Sequence, residues 1–187
     1  MQTIKLSFLI VLSLFTLSCS KSPLPELRIG INAWPGYEYL TLANQLGYYA
    51  DQGLAVKLIP FQTLADGRRA FEKGHIDIMA GTLMEFYTAR EISGINPVVF
   101  LVADFSNGGD VIIADKDIKS VKDLKGKTVG CEVCSLGIYI LQRALSSHDL
   151  KLSDVNVVNI EQMRGEQALL NGSIDAFISY PPVSITI

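Results

Sequence analysis

Reactive side chains are scarce in this chain: its 187 residues include two histidines, three cysteines and one tryptophan. His75 and His148 lack the short spacing of a metal-binding pair, and a zinc site built on cysteines would need two further ligands. No His–Cys or paired-carboxylate arrangement can be placed, so the sequence leads us to expect no catalytic residue, no metal and no cofactor. Charge of one sign is also lacking. Sixteen Lys and Arg against nineteen Asp and Glu give a formal net charge of −3, no electrostatic footing for nucleic acid. Low-complexity segments are absent and the loops are short. The apolar run LSFLIVLSLFTL after Lys5 has 12 residues, too few for the ~20 of a membrane span.

What that run does fit is a secretion signal: a charged start, an apolar stretch and a small residue before a cut. Residues 1–18 are therefore set aside from the fold. Cys19 stands at the cut, followed by the polar tether Ser20-Lys21-Ser22-Pro23, and residues 19–26 lead into the globular part. Cys19 resembles the lipidated cysteine of a bacterial lipobox, although Thr16 stands where that pattern usually has Leu. Lipid attachment at Cys19 is the expectation, with ordinary cleavage near Ser18 as the alternative. Cys131 and Cys134 are then left with C-x-x-C spacing, which leaves a redox pair, a local disulfide and incidental cysteines all open.

One stretch is written twice. AFEKGHIDIMAGT at Ala70–Thr82 returns as ALLNGSIDAFISY at Ala168–Tyr180, matching Ala70 to Ala168, Gly74 to Gly172, Ile76 to Ile174 and Asp77 to Asp175. Each copy reads as a helix end, a glycine stop and a short apolar strand. Further back, Arg28–Ile31 and Thr128–Cys131 each precede a helical pattern. Residues 27–82 and 127–180 thus both read strand, helix, strand, helix, strand. Two βαβαβ units predict an α/β fold of two lobes with mainly parallel sheets and right-handed crossovers: lobe 1 over 27–109, lobe 2 over 110–180, and a hinge near 104–115.

In chain order, strands are predicted at Leu27–Asn32, Leu54–Phe61, Ile76–Ala80 and Pro97–Ala103, with helices at Glu38–Tyr49, Ala65–Lys73 and Leu83–Ser93. A strand at Val111–Ala114 opens the second half. A short helix capped by Ser120 follows, then helices near Leu136–Ser147 and Gln162–Asn171. Pro181-Pro182 excludes a strand or helix interior there, and Val183–Ile187 calls for an apolar partner.

Ligands of parallel α/β sheets bind beyond the carboxyl ends of the strands. Those places hold Trp34 and Tyr37, Gly81 and Thr82, Glu132 and Ser135, and Ser179 and Tyr180. Facing lobes would line one cleft with all eight. Helix starts behind Gly36 and Ser135 favour an anionic group, while Trp34, Tyr37 and Tyr180 suit an apolar body or an amine. Asp104 and Asp110, at the hinge, are candidates to pair with that amine. The same residues also fit plainer roles: Trp34, Tyr37 and Tyr180 as packing, Ser135 and Thr82 as helix caps, Asp104 and Asp110 as turn caps. Asp77 and Asp175 sit at the amino ends of strands and read as structural. Lys116–Lys127 reads as a solvated face.

The strings LRIGINAWPGYEYLTLANQLGYY, F-x-x-G-x-I-D, DLKGKTVGCEVCSLGIYIL and DAFISYPP together resemble the periplasmic substrate-binding proteins of ABC importers, in the nitrate, sulfonate, taurine and thiamine-precursor group. The resemblance covers about residues 27–184. It implies a type II clamshell closing on a small polar solute, anionic or zwitterionic, and an importer permease as partner. It also implies no enzymatic activity, and a place in the periplasm or on the outer face of a bacterial membrane, held by the lipid on Cys19. In that family the segment matching Cys134–Gly137 opens the helix facing the ligand; the C-x-x-C is a departure. Such proteins usually continue beyond the position of Pro182, so 181–187 reads as the start of a return crossover and lobe 1 as incomplete. Related sensor domains supply an alternative, a ligand-reading module in signalling. An enzyme of thiamine-pyrimidine synthesis is a further alternative that the secretion signal argues against.

Overall fold

A computed structural model describes residues 25–187. The signal segment 1–18, Cys19 and all but the end of the 19–26 tether lie outside the described residues. The strands form two sheets. β1 (Glu26–Asn32), β2 (Ala55–Phe61) and β3 (Ile78–Met79) make a parallel sheet in the order β2-β1-β3. β4 (Val111–Ala114), β5 (Thr128–Cys131), β6 (Asn156–Asn159) and β7 (Ala176–Ser179) make the second, in the order β4-β7-β5-β6. β4 alone runs antiparallel, so the second sheet is mainly parallel as predicted.

The repeated stretch is a structural repeat. Asp77 accepts a hydrogen bond from the Arg28 amide at 2.8 Å and returns one from its own amide to the Arg28 carbonyl at 2.9 Å. Asp175 does the same to Thr128, at 2.7 and 2.8 Å. In both copies a positive-φ glycine, Gly74 or Gly172, stops the preceding helix, a turn that residues with a Cβ seldom make. The register is also copied: Gly30 lies opposite Met79 and Gly130 opposite Phe177.

The helices are α1 (Glu38–Gln45), α2 (Tyr48–Asp51), α3 (Leu64–Glu72), α4 (Leu83–Ser93), α5 (Leu136–Ser146) and α6 (Gln162–Leu170). The single helix predicted over Glu38–Tyr49 is broken by Gly47 at φ +76°. β7 shows the core logic most clearly, because alternate side chains leave opposite faces of a strand. Ala176 and Ile178 join Val129, Leu141 and Leu145 on one face. Phe177 packs with Ile174 and Val183 on the other, against Ala168 and Leu169. Val183 thus finds the apolar partner its segment called for, whereas Ile185 is exposed.

Pro97–Ala103 is not a strand. Nothing among the described residues pairs with it, and an isolated extended segment leaves its amides and carbonyls to water. Its apolar side chains stay outside: Val98 is 81% exposed and Phe100 71%.

Gly165 of α6 lies so close to the fully buried Phe177 that an added Cβ would stand 2.0 Å from its ring. Gly165→Ala should cost about 1–3 kcal/mol by overpacking, read as a lower midpoint in urea unfolding. Asp77, held by Arg28, has its pKa lowered to about 2. Its contribution is therefore present above the unfolded carboxylate value and lost as pH falls through about 2. Asp77→Asn should lower stability at neutral pH and flatten the acid limb of the stability curve between about pH 4 and 2.

Candidate functional site

The carboxyl ends of the two sheets meet. Thr82 caps α4 and Glu85 sits one turn in, forming a capping box: the Thr82 amide and hydroxyl both donate to Glu85 Oε2, the amide at 3.2 Å. The other oxygen of Glu85 reaches across to the second sheet, where Ser135 Oγ donates to Oε1 at 2.8 Å. Both residues are buried. Ser135 therefore occupies the cap position of α5 without capping it; its hydroxyl makes no bond to its own helix. Trp34, after β1, and Tyr180, after β7, meet edge to face with ring centroids 6.1 Å apart and planes at 63°.

Around this junction the candidates fall into place unevenly. Tyr37 is buried and donates to the Gly81 carbonyl at 3.0 Å, tying the turn after β1 to the turn after β3. Asp104 accepts from Trp34 Nε1 at 3.0 Å and from the Phe105 amide at 2.7 Å. It holds the indole, so it joins the site through Trp34. Asp110 accepts from Ser106 within its own loop. Ser179 is fully buried and donates to Gln162 Oε1 at 3.1 Å, while Gln162 Nε2 donates to the Ile178 carbonyl at 3.1 Å. That pair locks α6 to β7 behind the junction.

Glu132 is the outlier. It is 3% exposed. The Tyr180 hydroxyl donates to Oε1 at a long 3.4 Å. The amides of Gln162 and Leu64, at the starts of α6 and α3, face the carboxylate, yet no donor attains hydrogen-bond geometry at Oε2. Asn32, at the end of β1, approaches the Tyr180 hydroxyl with its side chain, and its Oδ1 is also buried without a partner. Burial pushes the Glu132 carboxyl up to about 7; Glu85 adds to the rise, while Gln162, Tyr180 and Leu64 oppose it. Burial likewise raises the phenols of Tyr37 and Tyr180, with Glu85 and Glu132 the leading charges.

The two cysteines of the C-x-x-C are not bridged to each other. Cys131 is a buried free thiol in the core of the second sheet, its pKa raised by burial to about 11; Cys134 is an exposed free thiol in a positive-φ turn. A shallow surface depression of about 310 Å³ lined by Asn159, Glu161 and Arg164 opens on the second sheet's β6–α6 turn. It contains none of the candidate residues.

Sequence reasoning missed Glu85, Asn32 and Gln162. T-x-x-E at Thr82–Glu85 is a readable helix start, but the reach of its second oxygen to Ser135 is not. Asn32 sits at the carboxyl end of a parallel strand, which was signal enough.

The family described as NMT1/THI5 like matches residues 34–184. The chain belongs to that family. A Brucella abortus protein named as a binding protein is 31% identical over 163 residues, 83% of this chain and 48% of its own length. A Haemophilus influenzae protein named for thiamine biosynthesis is 27% identical over 146 residues, 77% of this chain and 46% of its own. This family member thus spans about half the length of the curated relatives it matches. Among solved structures, the alkanesulfonate-binding protein SsuA of Xanthomonas axonopodis pv. citri bound to MOPS superposes with TM-score 0.68 at 20% identity, over 87% of this chain and 56% of that one. The periplasmic nitrate-binding protein NrtA of Synechocystis PCC 6803 gives 0.64 at 13% identity, over 85% and 47%. The fold is therefore that of the periplasmic binding proteins.

Ser135→Ala should leave Glu85 Oε1 buried without its donor and cost about 1–3 kcal/mol in urea unfolding. Glu132 works in the opposite sense from Asp77. A carboxyl raised from 4.5 to about 7 gives stability that is present below the unfolded value and lost as pH rises through 7. Glu132→Gln should flatten the stability curve between about pH 4.5 and 7, read from thermal midpoints.

Proposed function

We propose that this chain is the solute-gripping part of an extracytoplasmic binding protein that serves an ABC importer and performs no chemistry of its own. The observation that carries the reading is the meeting of the two sheets' carboxyl ends, where Trp34 and Tyr180 pack together and Glu85 bonds Ser135. A small solute held there would touch both lobes at once, so binding and closure about the hinge near 104–115 become one event. The names of the structural neighbours, which bind alkanesulfonate and nitrate, support solute capture rather than catalysis. In this reading residues 1–18 direct export, and Cys19 carries the lipid that keeps the protein at the outer face of a membrane. Lobe 1 spans 27–109, lobe 2 spans 110–180, and 181–187 begins the return crossover. The importer permease recognises the closed form.

The lone tryptophan, Trp34, makes the test direct because any solute that enters the junction changes its surroundings. Purified protein is titrated with sulfonates, nitrate, amino acids and pyrimidines while Trp34 fluorescence and the thermal midpoint are followed. A true solute should saturate the fluorescence change. At a hundredfold excess over its dissociation constant it should stabilise the fold by about 2.7 kcal/mol. Unchanged fluorescence and midpoint across the whole panel would defeat the reading.

A further inference from the structure

We infer that the solute carries a protonated nitrogen, and that this group seats against Glu132 Oε2 and Asn32 Oδ1 beside the Trp34–Tyr180 pair. The inference rests on the solute-binding reading above and narrows it to organic cations and zwitterions. Two side chains that meet the Tyr180 hydroxyl each keep a buried acceptor without a donor, Glu132 Oε2 and Asn32 Oδ1. Both belong to side chains more than nine-tenths buried, 3% and 8% exposed. Folding leaves such groups unpaired only at a cost, and a carboxylate costs more than an amide. A solute nitrogen carrying N–H groups brings the donors that these acceptors lack.

Charge points the same way. The groups facing Glu132 are Glu85 of α4, the Tyr180 phenol after β7, the Cys131 thiol on its own strand, and the amides of Leu64 and Gln162. None of them is cationic. Among the described residues the ion pairs of Lys and Arg lie elsewhere, at Asp77, Glu72, Asp66, Glu91, Asp175 and Glu161. A sulfonate or nitrate would enter beside two buried carboxylates with no counter-charge. A cation supplies the missing charge, and the adjoining aromatic rings favour it further.

The starts of α3 and α6, each nine residues long, would otherwise suit an anion. Their first amides already face the Glu132 carboxylate. The chain places its own anion where a free one would go, which turns an anion-favouring corner into a cation-selective one. Glu85 is different: Ser135 and Thr82 occupy both of its oxygens, so it adds field without offering a free acceptor.

The test titrates the protein with propylammonium, benzamidinium and γ-aminobutyrate, against ethanesulfonate, nitrate and neutral butyramide, following Trp34 fluorescence at pH 5.5, 6.5 and 7.5. The nitrogen cations should bind and the anions and amide should not. Affinity for the cations should fall about tenfold per pH unit as Glu132 takes up its proton below about pH 7. Glu132→Gln should weaken the cations at least tenfold, by about 1.4 kcal/mol or more, and remove the pH slope. The slope in the unaltered protein is an independent readout should the variant fold poorly. Binding of ethanesulfonate or nitrate without the cations would overturn this inference and leave the solute-binding reading standing. Cation binding with no pH slope would overturn it as well. Silence from every probe would count against both.

Discussion

The fold depends on a carboxylate clamp used twice. Asp77 grips the backbone of β1 at Arg28, and Asp175 grips the backbone of β5 at Thr128, each through one side-chain and one main-chain hydrogen bond. A parallel sheet has no hairpin to fix its register, so something must hold the incoming strand against its neighbour. These aspartates do so at the amino ends. Once register is set there, the carboxyl ends of β1, β3, β5 and β7 are placed by strand length, and Trp34, Tyr37, Thr82, Glu132, Ser135 and Tyr180 stand just beyond them. The clamp is far from the junction and still decides its geometry.

The clamp was also the most legible part of the chain, because it is local. Helix end, positive-φ glycine, isoleucine and aspartate follow one another within a few residues, and they recur about a hundred residues later. The close glycines tell a similar story. At Gly30 an added Cβ would meet Ile76 and Phe61, and at Gly130 it would meet Ile174 and Phe177. The strand glycines let the isoleucine of the clamping segment and a phenylalanine, Phe61 or Phe177, pack down on the strand. Pro97–Ala103 shows the limit of such local reading. Its composition is strand-like, yet a strand exists only with a partner, and composition does not supply one.

The junction was legible as a place but not as a set of bonds. Trp34, Tyr37, Thr82, Glu132, Ser135 and Tyr180 were all found from the rule that sites lie beyond strand ends. Their partners cross from one half of the chain to the other. Ser135 looked like a helix cap and instead bonds Glu85, fifty residues earlier. Asp104, a candidate counter-charge for an amine, holds the Trp34 indole. Both bonds follow from geometry that neither local segment contains: a polar group takes the partner that tertiary packing brings within reach.

Glu85 and Glu132 make the point energetically. They are similar carboxylates, both almost fully buried and both at the same junction. Ser135 and Thr82 supply donors to both oxygens of Glu85. Glu132 has one long bond from Tyr180 and an oxygen with none. A satisfied buried carboxylate is a structural part, since its desolvation is offset by its bonds. An unsatisfied one keeps that cost in the folded state, and burial shows in its raised pKa of about 7. The cost is removed by a proton or by a ligand that brings its own donors. Because both compete for the same oxygen, on the reading proposed above the residue that takes up the proton and the residue that meets the solute are one, and neither property can be changed without the other.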